Sequence, residues 1–158
     1  MSPLRRQSRG QTLVEFALIL PIFVLILVGI FDGGRLVFAY HTVSNAAREG
    51  GREATVNQTL ADIQDRAAQH AVALDLNPAD VSVQYLAADA QGPCPGALGS
   101  PQMYGCLAVV RVTYEYRAAT PVIGALIGPI SVTGEVRFPV EFICVGSIGP
   151  NDCPLGNP

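Results

Sequence analysis

Lysine and tryptophan are absent from the 158 residues, histidine occurs only twice, and charged side chains make up 15% of the chain. Soluble domains carry about 25% charge, so part of this chain is built to meet something other than water. All ten basic residues are arginines, and thirteen acids bring the net charge to −3. No basic stripe is left to neutralise phosphates, which argues against nucleic acid as a ligand. His41 and His70 lie far from every cysteine, and no CxxC pair occurs, so no metal-ligand spacing exists. The GxSxG, P-loop, GxGxxG and HExxH patterns are also missing. The chain therefore reads as a non-enzyme with no catalytic residues, no cofactor and no small-molecule substrate. Its length allows one modest domain, or a small domain plus an anchor.

What charge there is lies unevenly. Arg5, Arg6 and Arg9 stand in the first ten residues without an acid, leaving seven arginines against thirteen acids, a balance of −6, for the rest. An almost unbroken apolar run from Leu13 to Phe31 follows. As a helix its 19 residues cover about 28 Å, close to the hydrocarbon thickness of a lipid bilayer. The positive-inside tendency places the N-terminus in the cytoplasm and the acidic body outside. Pro21 interrupts the run and should kink or loosen the helix, which membrane helices tolerate. Glu15 is harder to place, because a carboxylate at the centre of a membrane helix costs on the order of 2.5–3.5 kcal/mol, and less toward the interface.

A cleaved signal peptide fits poorly: the apolar core is too long, and the A-x-A-like triplet Val37-Phe38-Ala39 lies beyond Asp32 and Arg35. A plain signal anchor leaves Glu15 unexplained. A third reading starts from the junction, RG followed by QTLVEFALILP, with a glycine after a basic leader and a glutamate at the fifth position of an apolar helix. This resembles the processing site of type IV pilins and pseudopilins. The longer stretch GQTLVEFALILPIFVLILVGIFDGGR, followed by NAAREGGREA, resembles the TadE-like family, minor pilins of the tight-adherence (Flp) pilus system. The resemblance is dense from Gly10 to about Ala54. It implies that a prepilin peptidase, a membrane aspartyl protease, cuts between Gly10 and Gln11, and that other pilins and pilus assembly proteins are partners through the N-terminal helix. Many major pilins carry an aromatic residue directly after the cut; Gln11 here fits the minor, TadE-like form better. A new amine at Gln11 would lie one helical turn from Glu15, where the two charges neutralise each other and set axial register between packed helices. Gly29 and Gly33 supply a small-xxx-small face for close helix approach. The alternative is a permanently anchored extracytoplasmic binding domain.

Past Phe31 the helical period continues through Leu36, Tyr40, Val43 and Ala47, with Asp32/Arg35 and Glu49/Arg52 as opposite charges three apart. This predicts a stalk helix that ends at Gly50-Gly51 or a few residues later near Asn57, with the charges of AAREGGRE as a solvated face. Thr59 and Asp62 suggest a capping box for a second helix that runs to about Leu74, with Leu60, Ile63, Ala67, Ala71 and Leu74 as its apolar stripe and Asn77-Pro78 as its stop. His70 beside that stripe reads as a surface residue. Period-two alternation marks three strands, around Val81–Tyr85, Ala108–Tyr116 and Val132–Phe142. Pro139 puts the last at an edge or a bulge. The apolar segment 120–130, TPVIGALIGPI, is expected to be buried in the core, with contact to the bilayer surface or another subunit as the alternatives.

Cys94, Cys106, Cys144 and Cys153 form an even set that suits an oxidising compartment. Pairing Cys94 with Cys106 and Cys144 with Cys153 closes the shortest loops. Three connectivities exist, and four unpaired thiols are the remaining possibility. The expected fold is α+β. A single transmembrane helix continues into a stalk helix, followed by a small pilin-like head with a second helix on an antiparallel sheet of about three strands. The expected divisions are leader 1–10, transmembrane helix 11–31, stalk 32–57, head 58–145 and a Gly/Pro-rich tail 146–158.

Overall fold

A single helix, α1, runs from Arg9 to Val56 in the computed structural model, which describes residues 9–96, 98–141 and 143. The leader before Arg9, Cys144, Cys153 and the tail 146–158 lie outside the described residues. At 1.5 Å per residue α1 is about 72 Å long. Pro21 lies inside it without ending it. The helix is long and apolar enough to cross a membrane, and none of its most apolar window is buried against the rest of the chain.

The remaining elements fold back on the distal half of α1. Helix α2 covers Leu60–His70, strands β1, β2 and β3 cover Val81–Leu86, Leu107–Tyr116 and Ile130–Pro139, and a short helix α3 covers Pro121–Ile127. The sheet is an antiparallel meander in the order β1-β2-β3. Its register sets Val81 opposite Val112, Val83 opposite Val110, Val110 opposite Val136 and Tyr114 opposite Val132, so each strand turns its apolar set to one face. α1 and α2 cover that face, giving the two-layer α+β head that the alternation predicts. The opposite face is polar: Arg111 meets Glu135 across the register at 2.6 Å, and Arg137 meets the same carboxylate at 2.8 Å. β3 is an edge strand with Pro139 as its last residue, where a missing amide costs no central ladder bond.

Small residues set how closely α1 lies on these layers. Ala39, Val43, Ala46, Ala47, Gly50, Gly51 and Ala54 are all buried and recur at helical spacing, while Arg48 and Arg52 point to solvent. A Cβ placed on Gly50 would meet Ala67 Cβ at 3.0 Å and Val110 Cγ1 at 3.2 Å, and one on Gly51 would meet Val136 and Phe138 at 2.6–2.7 Å. The two glycines therefore do not break the helix; they admit α2 and β3, and α1 ends at the later of the two expected stops. On the sheet side Gly134 answers them, with Val43 O 2.9 Å from where its Cβ would be. Tyr40, placed on the packed face by spacing alone, is 54% exposed and stacks edge-on against His41.

Three local expectations need correction. The Thr59 hydroxyl makes no capping bond. Asn57 organises the turn instead: its Oδ1 accepts from the Thr59 amide at 2.9 Å and its Nδ2 donates to Asp62 at 2.8 Å. α2 stops at His70 rather than Leu74, because the chain turns through Ala73 at φ +79. Asn77 is accordingly no stop; with Asp80 it forms the capping box of a 3-10 turn, Pro78–Asp80, leading into β1. Of the expected α2 stripe, Ile63, Ala67, Ala71 and Leu74 are buried and Leu60 is exposed. Finally, 120–130 is not buried as a unit: it forms α3 and the start of β3, where Leu126 and Ile127 stand out in the open while Ile130 packs half-buried against the core.

Cys94 and Cys106 are joined by a disulfide that closes the Gly/Pro-rich loop between β1 and β2. This is the expected pairing for that loop. Backbone bonds from Val140 N to Cys106 O at 2.8 Å and from Glu141 N to Thr55 O at 2.9 Å tie it to the far end of α1.

Candidate membrane and assembly surface

The apolar half of α1 carries the residues that the sequence marks for processing and assembly. Gln11 donates from its side-chain amide to a Glu15 carboxylate oxygen at 3.2 Å, one turn along the helix. This bond gives the otherwise isolated carboxylate a local partner. Leu13, Phe16, Ile19, Phe23, Ile26, Ile30 and Phe31 are all exposed, and within the run only Val28 and Gly29 are partly covered. That surface is far larger than any patch tolerated in water. Gly29 and Gly33 face open space, with nothing within 4 Å of either Cβ position. The head leaves both free for contact with another helix.

The apolar run ends at a polar junction that sequence reasoning reduced to a helical ion pair. Asp32 is buried, and its Arg35 partner is only a loose one at 3.9 Å. The close partners come from the far end of the chain. The Ala119 amide donates to Asp32 Oδ1 at 3.1 Å, and the Thr120 amide and hydroxyl both donate to Oδ2. Tyr116 donates its hydroxyl to the Asp32 carbonyl at 2.9 Å. The Thr120 hydroxyl leads, with the two amides and Arg35 in support, in holding the Asp32 carboxyl below the usual aspartate range, although burial pulls the other way. The 84 to 88 residues between partners hid this cluster from any local pattern. The only signal was an acid placed directly after the apolar run.

The head offers no constellation for chemistry among the described residues. No group of three His, Cys, Asp or Glu converges, and His41 and His70 are both exposed and far apart in the chain. Glu49 pairs with Arg52 at 3.1 Å and Glu53 accepts from Asn57 at 3.2 Å, so these carboxylates hold helix ends and faces.

Compared with known families, residues 10–52 match the model of the TadE-like protein family. This segment is TadE-like. The match begins at Gly10, covers the apolar run and ends at Arg52, just past the glycines that seat α1 on the sheet. It takes in the Asp32 junction and leaves α2 and all three strands outside. Among curated proteins and solved structures, no match was found. The matched segment lies wholly within α1, the helix that is long and apolar enough to cross a membrane. Cys144 and Cys153, the other cysteines expected to pair, lie outside the described residues.

Proposed function

We propose that the protein is a membrane-anchored minor pilin or pseudopilin that takes part in assembling a tight-adherence pilus or a related secretion filament. The observation that carries this reading is the coincidence of the TadE-like match with one continuous helix that is bare and apolar at one end and seats the head at the other. The bilayer stores the subunit through residues 11–31. A prepilin peptidase removes the leader between Gly10 and Gln11 on the cytoplasmic side. The freed amine of Gln11 and the Glu15 carboxylate then fix axial register between neighbouring helices, and Gly29 and Gly33 let the helices approach closely.

N-terminal sequencing of the protein purified from its own membrane tests the proposal. A mature chain beginning at Gln11 supports it. Retention of Met1 or Ser2 would replace it with a permanently anchored extracytoplasmic binding domain, and a start near Tyr40 with a secreted one. Glu15→Leu separates register from anchoring: membrane retention is expected to persist while assembly is lost.

A further inference from the structure

Helix α3 concentrates apolar surface at Leu126 and Ile127 that no described residue of the head covers. Leu126 is 87% exposed, more than any other large apolar side chain among the described residues, and Ile127 is 56% exposed. No charged side chain occurs between Arg117 and Glu135. In water such a helix is a liability; against lipid it is a contact.

Its position decides which. The Asp32 carboxylate holds Ala119 and Thr120, and α3 starts at the next residue, Pro121. Asp32 directly follows Phe31, the last residue of the apolar run. The start of α3 is therefore pinned at the level where α1 leaves the hydrocarbon. Seven helical residues advance about 10 Å, and the headgroup layer on each side of a bilayer is about 5–7 Å thick. Even pointing straight away from the membrane, the last turn of α3 stays within a few ångströms of that layer.

We propose that α3 is an interfacial foot: Leu126 and Ile127 rest in the outer headgroup layer of the bilayer that α1 spans, and the Asp32 cluster sets their depth. A lone spanning helix leaves its head free to tilt and swivel. A second lipid contact, bonded to the first at its base, removes that freedom. The inference rests on the membrane anchoring of α1 and deepens it.

The absence of tryptophan supplies the test. Leu126→Trp introduces a single indole at an exposed site, and the full chain is reconstituted in phosphatidylcholine vesicles. Lipid brominated near the carbonyl end of its acyl chains should lower the emission about twofold or more, because an indole at the interface sits among those groups; aqueous iodide should have little effect. Val72→Trp is the control. It lies just past α2, whose Ala67 touches Gly50 about 27 Å along α1 from Asp32, and should respond to iodide alone. Adding Asp32→Ala to Leu126→Trp should cut the lipid quenching about twofold by freeing the foot from its depth stop. Thr120→Val, which removes only a hydroxyl, makes the same comparison should Asp32→Ala fail to fold. Quenching of the Leu126→Trp indole by iodide and not by brominated lipid, in protein that floats with the vesicles, would overturn the foot and leave the anchor standing. Shielding from both quenchers would assign α3 to a second copy instead. Failure to float would overturn anchor and foot together.

Discussion

Gly134→Ala probes the contact between α1 and the sheet at its least forgiving point. The new Cβ would fall 2.9 Å from the Val43 carbonyl oxygen and 3.1 Å from Ser44 Cα, where ordinary contact begins at 3.4 Å. Both obstacles are helix backbone, so no side chain can swing aside. α1 must lift by about 0.5 Å, a gap that forfeits about a quarter of the dispersion energy of the contacts it opens. Overpacking of this kind costs about 1–3 kcal/mol, and alanine in place of a strand glycine returns about 0.5–1 kcal/mol. The expected net loss is about 1–2 kcal/mol. Gly51→Ala meets Val136 and Phe138 at 2.6–2.7 Å, but these are side chains, Phe138 is half-buried, and the helix gains about 1 kcal/mol from alanine. Its loss should be about 1 kcal/mol or less, and Gly50→Ala, with its nearest neighbours at 3.0 and 3.2 Å, should be close to neutral. Thermal unfolding of the full chain in detergent, followed by near-ultraviolet circular dichroism, reads the series. At about 2–4 °C per kcal/mol, Gly134→Ala should lower Tm by about 2–8 °C. An unchanged Tm, or Gly50→Ala as the worst of the three, would refute the claim that backbone contact at Gly134 sets the layer spacing.

The Tyr85 hydroxyl is buried without a hydrogen-bond partner, so Tyr85→Phe should stabilise the head by about 1 kcal/mol in a urea titration. Burial pushes the Tyr85 pKa up to about 12, against an ordinary 10.0. Its neutral form thus favours the fold, which is fully stable on this account below about pH 10 and weakens as pH rises toward 12; the slope of Tm across that window should be smaller in Tyr85→Phe. Replacing Cys94 and Cys106 together with serine frees a loop of sequence separation 12, which should cost about 3 kcal/mol in the same titration. Arg111 first, and Arg137 second, hold the Glu135 carboxyl below its ordinary value of 4.5. The stability it supplies is present above that value and is lost as the pH falls through the lowered one. Glu135→Gln should therefore cost at most about 1 kcal/mol near neutrality, since the pair is solvated, and should show a shallower loss of Tm on acidification.

Elements with their own period were legible. The spanning helix, the stalk and three strands follow from local spacing, and the edge position of β3 follows from the missing amide of Pro139. The TadE-like match, residues 10–52, covers the residues on which the resemblance rested except Arg9, Glu53 and Ala54. What escaped notice depended on contacts between distant residues. Gly50 and Gly51 look like a helix stop in isolation, and only the presence of Ala67, Val110 and Phe138 makes them a packing surface. The Thr59–Asp62 pair has the spacing of a capping box, but Asn57 reaches the same groups first. Core burial was expected of TPVIGALIGPI because apolar segments in water need cover. That expectation fails beside a membrane, and no local pattern reveals that Thr120 lies beside Asp32. Of the candidate site, the apolar face and Glu15 were visible in the sequence, while the junction below it was not.

In α1 the apolar run and the core layer of the head belong to one continuous helix. Where α1 packs on a neighbouring helix, moving that pairing along by one residue while keeping equivalent contacts shifts the head by about 1.5 Å and turns it by about 100°. The side of the head that a neighbouring subunit meets is then set by the residue pairing between helices, and a subunit paired one residue out of register would present a different flank of its sheet to the assembly.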